Sequence, residues 1–274
     1  MKKLLCALLA AGSVSLALAG PVDDLVTATR RDSDVTVQNL LGQGVDVNAV
    51  DSEGHTALTI AIHEKSMKVL PVLLGWRGTR LNAANRAGET PLMMAIITDQ
   101  TDLARELILK GAATNKPGWS PLHYAATRSN LDIMQMLLAR DAYIDAMSPN
   151  ETTPLMMAAR YGGSEGVQFL LDKGADPWTR NRLGLTALDF ARMGGNAESI
   201  DLITRAQARR PDPGTHVRPL APLTPAQEAV LKGEQIPLDS APVPLIYPEG
   251  QEPPPQQPAL PVAPAVAPAA SASR

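Results

Sequence analysis

The 274-residue chain has one cysteine, Cys6, and only 3% aromatic residues. A single cysteine excludes an intramolecular disulfide and any thiolate cluster for a metal. With so few rings, the core must come from Leu, Ala, Val, Ile and the ten Met. That supply suits short, closely packed helices better than a sandwich or barrel. Charge of one sign is also lacking: the net formal charge is −3, so no basic field draws the chain to nucleic acid or an anionic membrane. No Walker-type phosphate loop, G-x-G-x-x-G or H-E-x-x-H is present, and no G-x-S-x-G nucleophile elbow is expected.

The first nineteen residues read as a secretory leader. Lys2 and Lys3 form a charged start, Leu4 to Leu18 are apolar or small, and Ala17-Leu18-Ala19 gives an A-x-A site before Gly20. The apolar run is shorter than the ~20 residues that span a bilayer, so it predicts a cleaved leader rather than an anchor. Cys6 lies early in that run without a lipobox. Removing Lys2 and Lys3 takes the charge from −3 to −5 and leaves no cysteine. The expectation is a periplasmic protein without a membrane span after cleavage.

What the chain has is a repeat. Leu58, Leu92, Leu122, Leu155 and Leu188 recur at spacings of 34, 30, 33 and 33, and Leu25 opens a degenerate first copy. Thr56, Thr90, Ser120, Thr153 and Thr186 stand where a helix needs a cap for its orphaned N–H groups. Pro91, Pro121 and Pro154 follow at the first helical position, where a missing N–H costs nothing. Ala61, Ala95, Ala125, Ala158 and Ala191 lie three residues after each leucine, small enough for helices to approach closely. A second amphipathic stretch follows, as in Leu131, Ile133, Met134, Leu137 and Leu138. Gly44, Gly111 and Gly174 are placed to end it in a left-handed turn.

The openings HTALTIA, ETPLMMA, SPLHYAA, TTPLMMAA and LTALDFA, the later Leu-Leu pairs and the G-A-D ending resemble the ankyrin repeat. The resemblance implies an all-α solenoid of about six helix-turn-helix repeats over residues 22–210, with short hairpin fingers. It also implies that another protein binds in the groove lined by fingers and first helices. Carried over position by position, the fingers offer Ser52, Glu53, His55, Arg86, Glu89, Trp119, Asn150, Thr152, Arg182, Leu183 and Leu185. The first helices offer His63 with Glu64, Ile97 with Thr98, Thr127 with Arg128, and Arg160 with Tyr161. Trp119, Arg128, Arg160 and Tyr161 are the amphipathic types that dominate interface energetics, and they fall on the fourth and fifth repeats.

His123 has no histidine column: its counterparts are Thr59, Met93, Met156 and Asp189. It is therefore expected to bond backbone in the adjoining loop. His55 and His63 lack further nearby ligands, so no metal site is expected, and no cofactor. The Met93–Met94 and Met156–Met157 pairs read as adaptable core filling.

Three departures are legible. The 30-residue spacing removes three residues before Trp119, which predicts a blunted finger with a tight turn at Lys116-Pro117. "GWRGTR" at 75–80 adds a residue and places Trp76 on the back of the stack. Pro71 predicts a second helix that starts late or kinks.

Residues 211–274 hold 16 of the 24 prolines and are expected to be extended and disordered. Thr224, Pro225, Gln227 and Gly233 mark one short helix there, over 224–232. The reading is a monomeric, exported, protein-binding solenoid that acts as an accessory or immunity-like factor. The alternative is a hydrolase or metal-dependent enzyme with its site in the groove.

Overall fold

The structure is a computed structural model, and it describes residues 20–212. The leader, the segment from 213 onward and the helix expected at 224–232 lie outside the described residues. Within them are six helix pairs. The first is α1 (Pro21–Arg30) with α2 (Asp34–Gly42), and the second is α3 (Ala57–Glu64) with α4 (Val69–Gly75). Then come α5 (Pro91–Ile97) with α6 (Thr101–Leu109), and α7 (Pro121–Thr127) with α8 (Leu131–Leu138). The last are α9 (Pro154–Tyr161) with α10 (Ser164–Asp172), and α11 (Ala187–Gly194) with α12 (Ala197–Arg209). An isolated bridge, Val50–Thr56, closes the first finger.

The caps work in two ways. Thr56, Thr90 and Thr153 accept the N–H three residues on, at 3.3, 3.3 and 3.4 Å. At Ser120 and Thr186 the backbone N–H donates back to a side chain, His123 Nδ1 at 3.1 Å and Asp189 Oδ2 at 2.9 Å. Leu58, Leu92, Leu122 and Leu155 are fully buried, as are the alanines three residues after them. Each such leucine contributes roughly 2 kcal/mol of apolar burial.

Consecutive first helices pack in one row and second helices in another behind it. The α4–α6 contact is the thin one in the second row. Pro71 explains it: α4 begins two residues later than its counterparts, so that proline sits in its first turn, where it is tolerated. Trp76 caps that helix half-buried. Gly44, Gly78, Gly111 and Gly174 hold φ near +90° after the second helices, and Asp141 occupies the same place with φ 61°.

Between those residues and the next cap the chain runs through two turns. The first is stitched to its neighbour by a column of three amides and a carboxylate: Asn48 Oδ1 accepts from Arg80 N–H, Asn82 from Ala113, Asn115 from Tyr143, and Asp145 from Asp176. Burial, then the nearby Asp176 charge, raises the Asp145 carboxyl above its ordinary pKa. Trp178 ends the column, its indole N–H donating to the Arg210 carbonyl at 2.5 Å. The second turn, the finger, closes around a short polar side chain. Asp51, Asn85, Ser148 and Asn181 each accept the backbone N–H four residues on.

The finger before Trp119 is the short one. It keeps Asn115 for the amide column and Gly118, at φ 80°, for the tip. The three missing residues include the polar side chain that closes every other finger. Residues 117–119 therefore form an open bend, with no backbone hydrogen bond closing it, in place of the tight turn expected at Lys116-Pro117.

Candidate protein-binding groove

In a stacked solenoid, the face made by first helices and fingers is the one not covered by the second row. The residues expected on it fall into separate groups. His63 and Glu64 are exposed at the end of α3, with His63 Nδ1 3.5 Å from Glu64 Oε1. Arg30 joins them, 3.4 Å from Glu64 and 3.9 Å from Asp51. Arg86 is exposed and lays its stem along Gly54, where an added Cβ would come within 2.8 Å. Arg182 is exposed and pairs with Glu151 at 3.4 Å.

Glu89 and Trp119 are half-buried rather than free. Glu89 Oε2 accepts from Asn85 Nδ2 at 2.9 Å. Trp119 stands edge-on to the His123 ring at 5.2 Å and tilted against Tyr124 at 6.3 Å. Tyr124, which the sequence reading leaves out, is the ring beneath it. Burial and then the Glu89 carboxylate raise its phenol pKa. Its signal is positional: it lies two residues after Leu122, as Met94 and Met157 do after their leucines.

Arg160 and Tyr161 are brought together. The Arg160 guanidinium lies 5.1 Å from the Tyr161 ring centroid, and Nη1 contacts Met193 Sδ at 3.2 Å. Arg128 is not with them. It reaches back one repeat and donates to the Ile97 carbonyl at 2.8 Å, finishing α5. Among the described residues no hydrogen bond or ring contact joins Trp119 or Arg128 to the Arg160–Tyr161 pair. Thr152, offered as finger surface, is buried instead, its N–H held by Ser148 and its carbonyl by His123.

His123 is fully buried. Its Nδ1 accepts the Ser120 N–H, so Nε2 carries the proton and donates to the Thr152 carbonyl at 2.9 Å. Burial lowers its pKa to about 4. A neutral ring with both nitrogens committed to the scaffold is no base.

Two features bear on the enzyme alternative. Asp51, Glu53 and His55 place ligand atoms within 4.8 Å of one another. The finger turn accounts for that grouping: Asp51 Oδ1 accepts the N–H groups of Glu53 and His55 at 2.9 and 2.8 Å. Burial opposes the Asp51 charge, but those donors, with His55 and Arg30 beside it, hold its pKa below the ordinary value. Arg30 already supplies a cation there. Residues 162–166, Gly-Gly-Ser-Glu-Gly, do spell G-x-S-x-G, which corrects the expectation that the pattern is absent. A nucleophile elbow needs a strand before the serine. Here two helices flank it, and Ser164 Oγ donates to Glu198 at 2.7 Å. The glycines serve packing, for a Cβ at Gly162 or Gly166 would meet Ser129 Oγ at 2.8 or 2.5 Å.

The family model for ankyrin repeats matches the chain in three copies, at residues 25–117, 68–148 and 103–181. A putative ankyrin repeat protein of Escherichia coli, YahD, is 30% identical over 198 residues, which cover 69% of this chain and 97% of that protein. The human transient receptor potential channel subfamily A member 1 is 29% identical over 159 residues. The chain spans only 14% of that channel and 7–16% of the first four curated relatives. Among solved structures, the complex of the Bdellovibrio bacteriovorus predatory endopeptidase Bd0816 with immunity protein Bd3460 holds a chain that is 30% identical. It matches with a TM-score of 0.59, covering 66% of this chain and 97% of that one. The ankyrin repeat domain of human ASB11 matches with the same score at 28% identity, over 78% of this chain and 98% of that one.

Proposed function

The chain belongs to the ankyrin-repeat proteins, and from that premise we propose that it is exported to the periplasm and binds a protein partner there through the first-helix face. Its role is that of a protective accessory factor or an immunity-like inhibitor. One observation carries the binding surface. Arg160 and Tyr161 are half-buried on the first-helix row, stacked on each other, and not absorbed by any bond to a neighbouring backbone. A pre-ordered Arg–Tyr pair is the kind of anchor that supplies interface energy at small entropic cost. The likeness to a chain of the endopeptidase–immunity complex supports the inhibitor role, and the Lys2-Lys3 start with Ala17-Leu18-Ala19 supports export.

No helix among the described residues is long and apolar enough to cross a membrane. The test is affinity capture from periplasmic extract with the wild-type chain and with the Arg160→Ala/Tyr161→Ala double variant. The expected result is a protein retained by the first and lost by the second. Equal retention by both would remove the groove from the proposal. N-terminal sequencing of the exported chain should begin at or near Gly20, and an intact Met1 would refute export.

A further inference from the structure

The three-residue deletion shortens one finger in the row, and the gap is the place its missing residues would fill. On either side, the fingers centred on Asn85–Glu89 and Ser148–Thr152 are closed by their own backbone pairs, Asn85 N–H to Glu89 and Ser148 N–H to Thr152, each at 3.0 Å. Between them the shortened loop bends at Gly118, where an added Cβ would sit 3.5 Å from Pro149. The floor is Trp119 on Tyr124, both half-buried, with Trp119 set against the immobile His123 ring. Charges of both signs border it on the N-terminal side, where Glu89 stands beside Tyr124 and Lys116 Nζ lies against the Gly88 tip of the same finger, 3.5 Å from an added Cβ. On the C-terminal side is Arg160, which contacts a ring and a thioether. Of the other arginines on the first-helix row, Arg30 and Arg192 are paired with acids and Arg128 is committed to the Ile97 carbonyl. Among the described residues Arg160 has no carboxylate partner.

From this arrangement we infer that the gap receives an acidic loop of the partner protein, with an apolar side chain on the Trp119–Tyr124 floor and a carboxylate on Arg160. This rests on the proposed groove and gives its ligand a chemistry and a spacing. Adjacent first helices lie about 10 Å apart. Arg160 is three residues further along its helix than Tyr124 is on its own, a rise of about 4.5 Å. The two anchor points are then about 11 Å apart, a span of about three residues of extended chain. The acid therefore follows or precedes the apolar anchor by about three positions.

The experiment is selection of random twelve-residue peptides displayed on phage against the full exported chain. The expected winners carry Asp or Glu about three positions from an aromatic or large aliphatic residue. Two variants then locate the site. One inserts Ala-Met-Ser between Asn115 and Lys116, which restores the usual finger length and fills the gap. The other is Arg160→Ala/Tyr161→Ala. Each should weaken a synthesised winner by about tenfold or more while circular dichroism keeps its helical signal. Winners without an acid, or no winners, overturn the inference. A peptide that tolerates the insertion but is lost with the double variant overturns the gap and leaves the groove reading in place. Indifference to both variants overturns the two together.

Discussion

His123 Nε2 donates to the carbonyl of Thr152 at 2.9 Å, across a boundary of 29 residues in sequence. This single bond ties the first helix of one repeat to the finger of the next. It also fixes the ring as neutral, because Nδ1 is already an acceptor for Ser120.

Stability should therefore fall with acid in a defined window. The folded pKa of His123 is about 4, below the ordinary 6.5. Between those values the unfolded chain binds a proton that the native chain refuses. The contribution is complete above pH 6.5, is lost as pH falls toward 4, and loses nothing more below that. The shift corresponds to about 3 kcal/mol. Urea unfolding at pH 7, 5.5 and 4 should show the wild type losing about that much more than His123→Gln, since the common carboxylates titrate in both. Parallel pH profiles would refute the neutral-ring account.

Backbone strain is stored at Asp141, which has φ 61° where four other repeats place glycine. Asp141→Gly should gain about 0.5–1 kcal/mol, because the left-handed region costs an L-residue more than glycine's extra freedom in the unfolded chain. Glu151, φ 62°, takes the finger-tip place of Gly54, Gly88, Gly118 and Gly184. Replacing it should gain less, since the exposed Glu151–Arg182 pair at 3.4 Å, itself of order 0–1 kcal/mol, is lost as well. Thermal melting should rank Asp141→Gly above Glu151→Gly.

The register of the stack was legible because cap, proline, leucine and alanine recur at one period and each has one local job. Those positions need only their own turn of helix to be understood. The deletion before Trp119 was legible for the same reason, as a break in a count. The surface was not. Whether Arg128 faces a partner or the Ile97 carbonyl depends on the reach of a long side chain across a repeat boundary. Thr152 sits on a finger in sequence, yet the His123 bond pulls its backbone inward. Asp51, Asn85, Ser148 and Asn181 are of three residue types, so the column that closes the fingers shows only when the loops are aligned from the glycine onward.

One buried hydroxyl is left over. Ser199 is fully buried in α12 and its Oγ has no partner among the described residues. An unpaired buried hydroxyl costs about 1–3 kcal/mol, and alanine is also the better helix former. Ser199→Ala should raise stability by about 1 kcal/mol, read as an increase in denaturation midpoint at constant slope. Asp32 marks the opposite case: its Oδ1 accepts from Lys68 and Val69 N–H at 2.9 and 3.0 Å, capping α4 from the neighbouring repeat. Asp32→Ala should cost about 1–2 kcal/mol, and Asp32→Asn distinctly less, since it keeps the acceptor.

The last prediction joins packing to binding through two glycines. Gly42 ends α2 with nothing within 4 Å of an added Cβ, whereas at Gly194 that atom would meet the Arg160 carbonyl at 2.6 Å. Gly42→Ala should gain about 0.5–1 kcal/mol, the ordinary return for removing a helical glycine. Gly194→Ala should cost about 1–3 kcal/mol, because the obstacle is backbone and cannot rotate away. The strain falls on the last turn of α9, where Arg160 and Tyr161 are stacked. Gly194→Ala should then weaken the protein captured on the groove, or an acidic peptide selected on it, even at temperatures where the variant is fully folded. Gly42→Ala, at the other end of the stack, should leave that affinity unchanged. Calorimetry on both variants separates the two effects. Loss of stability at Gly194 with full affinity would show that the α9–α11 contact supports the scaffold without positioning the Arg160–Tyr161 pair.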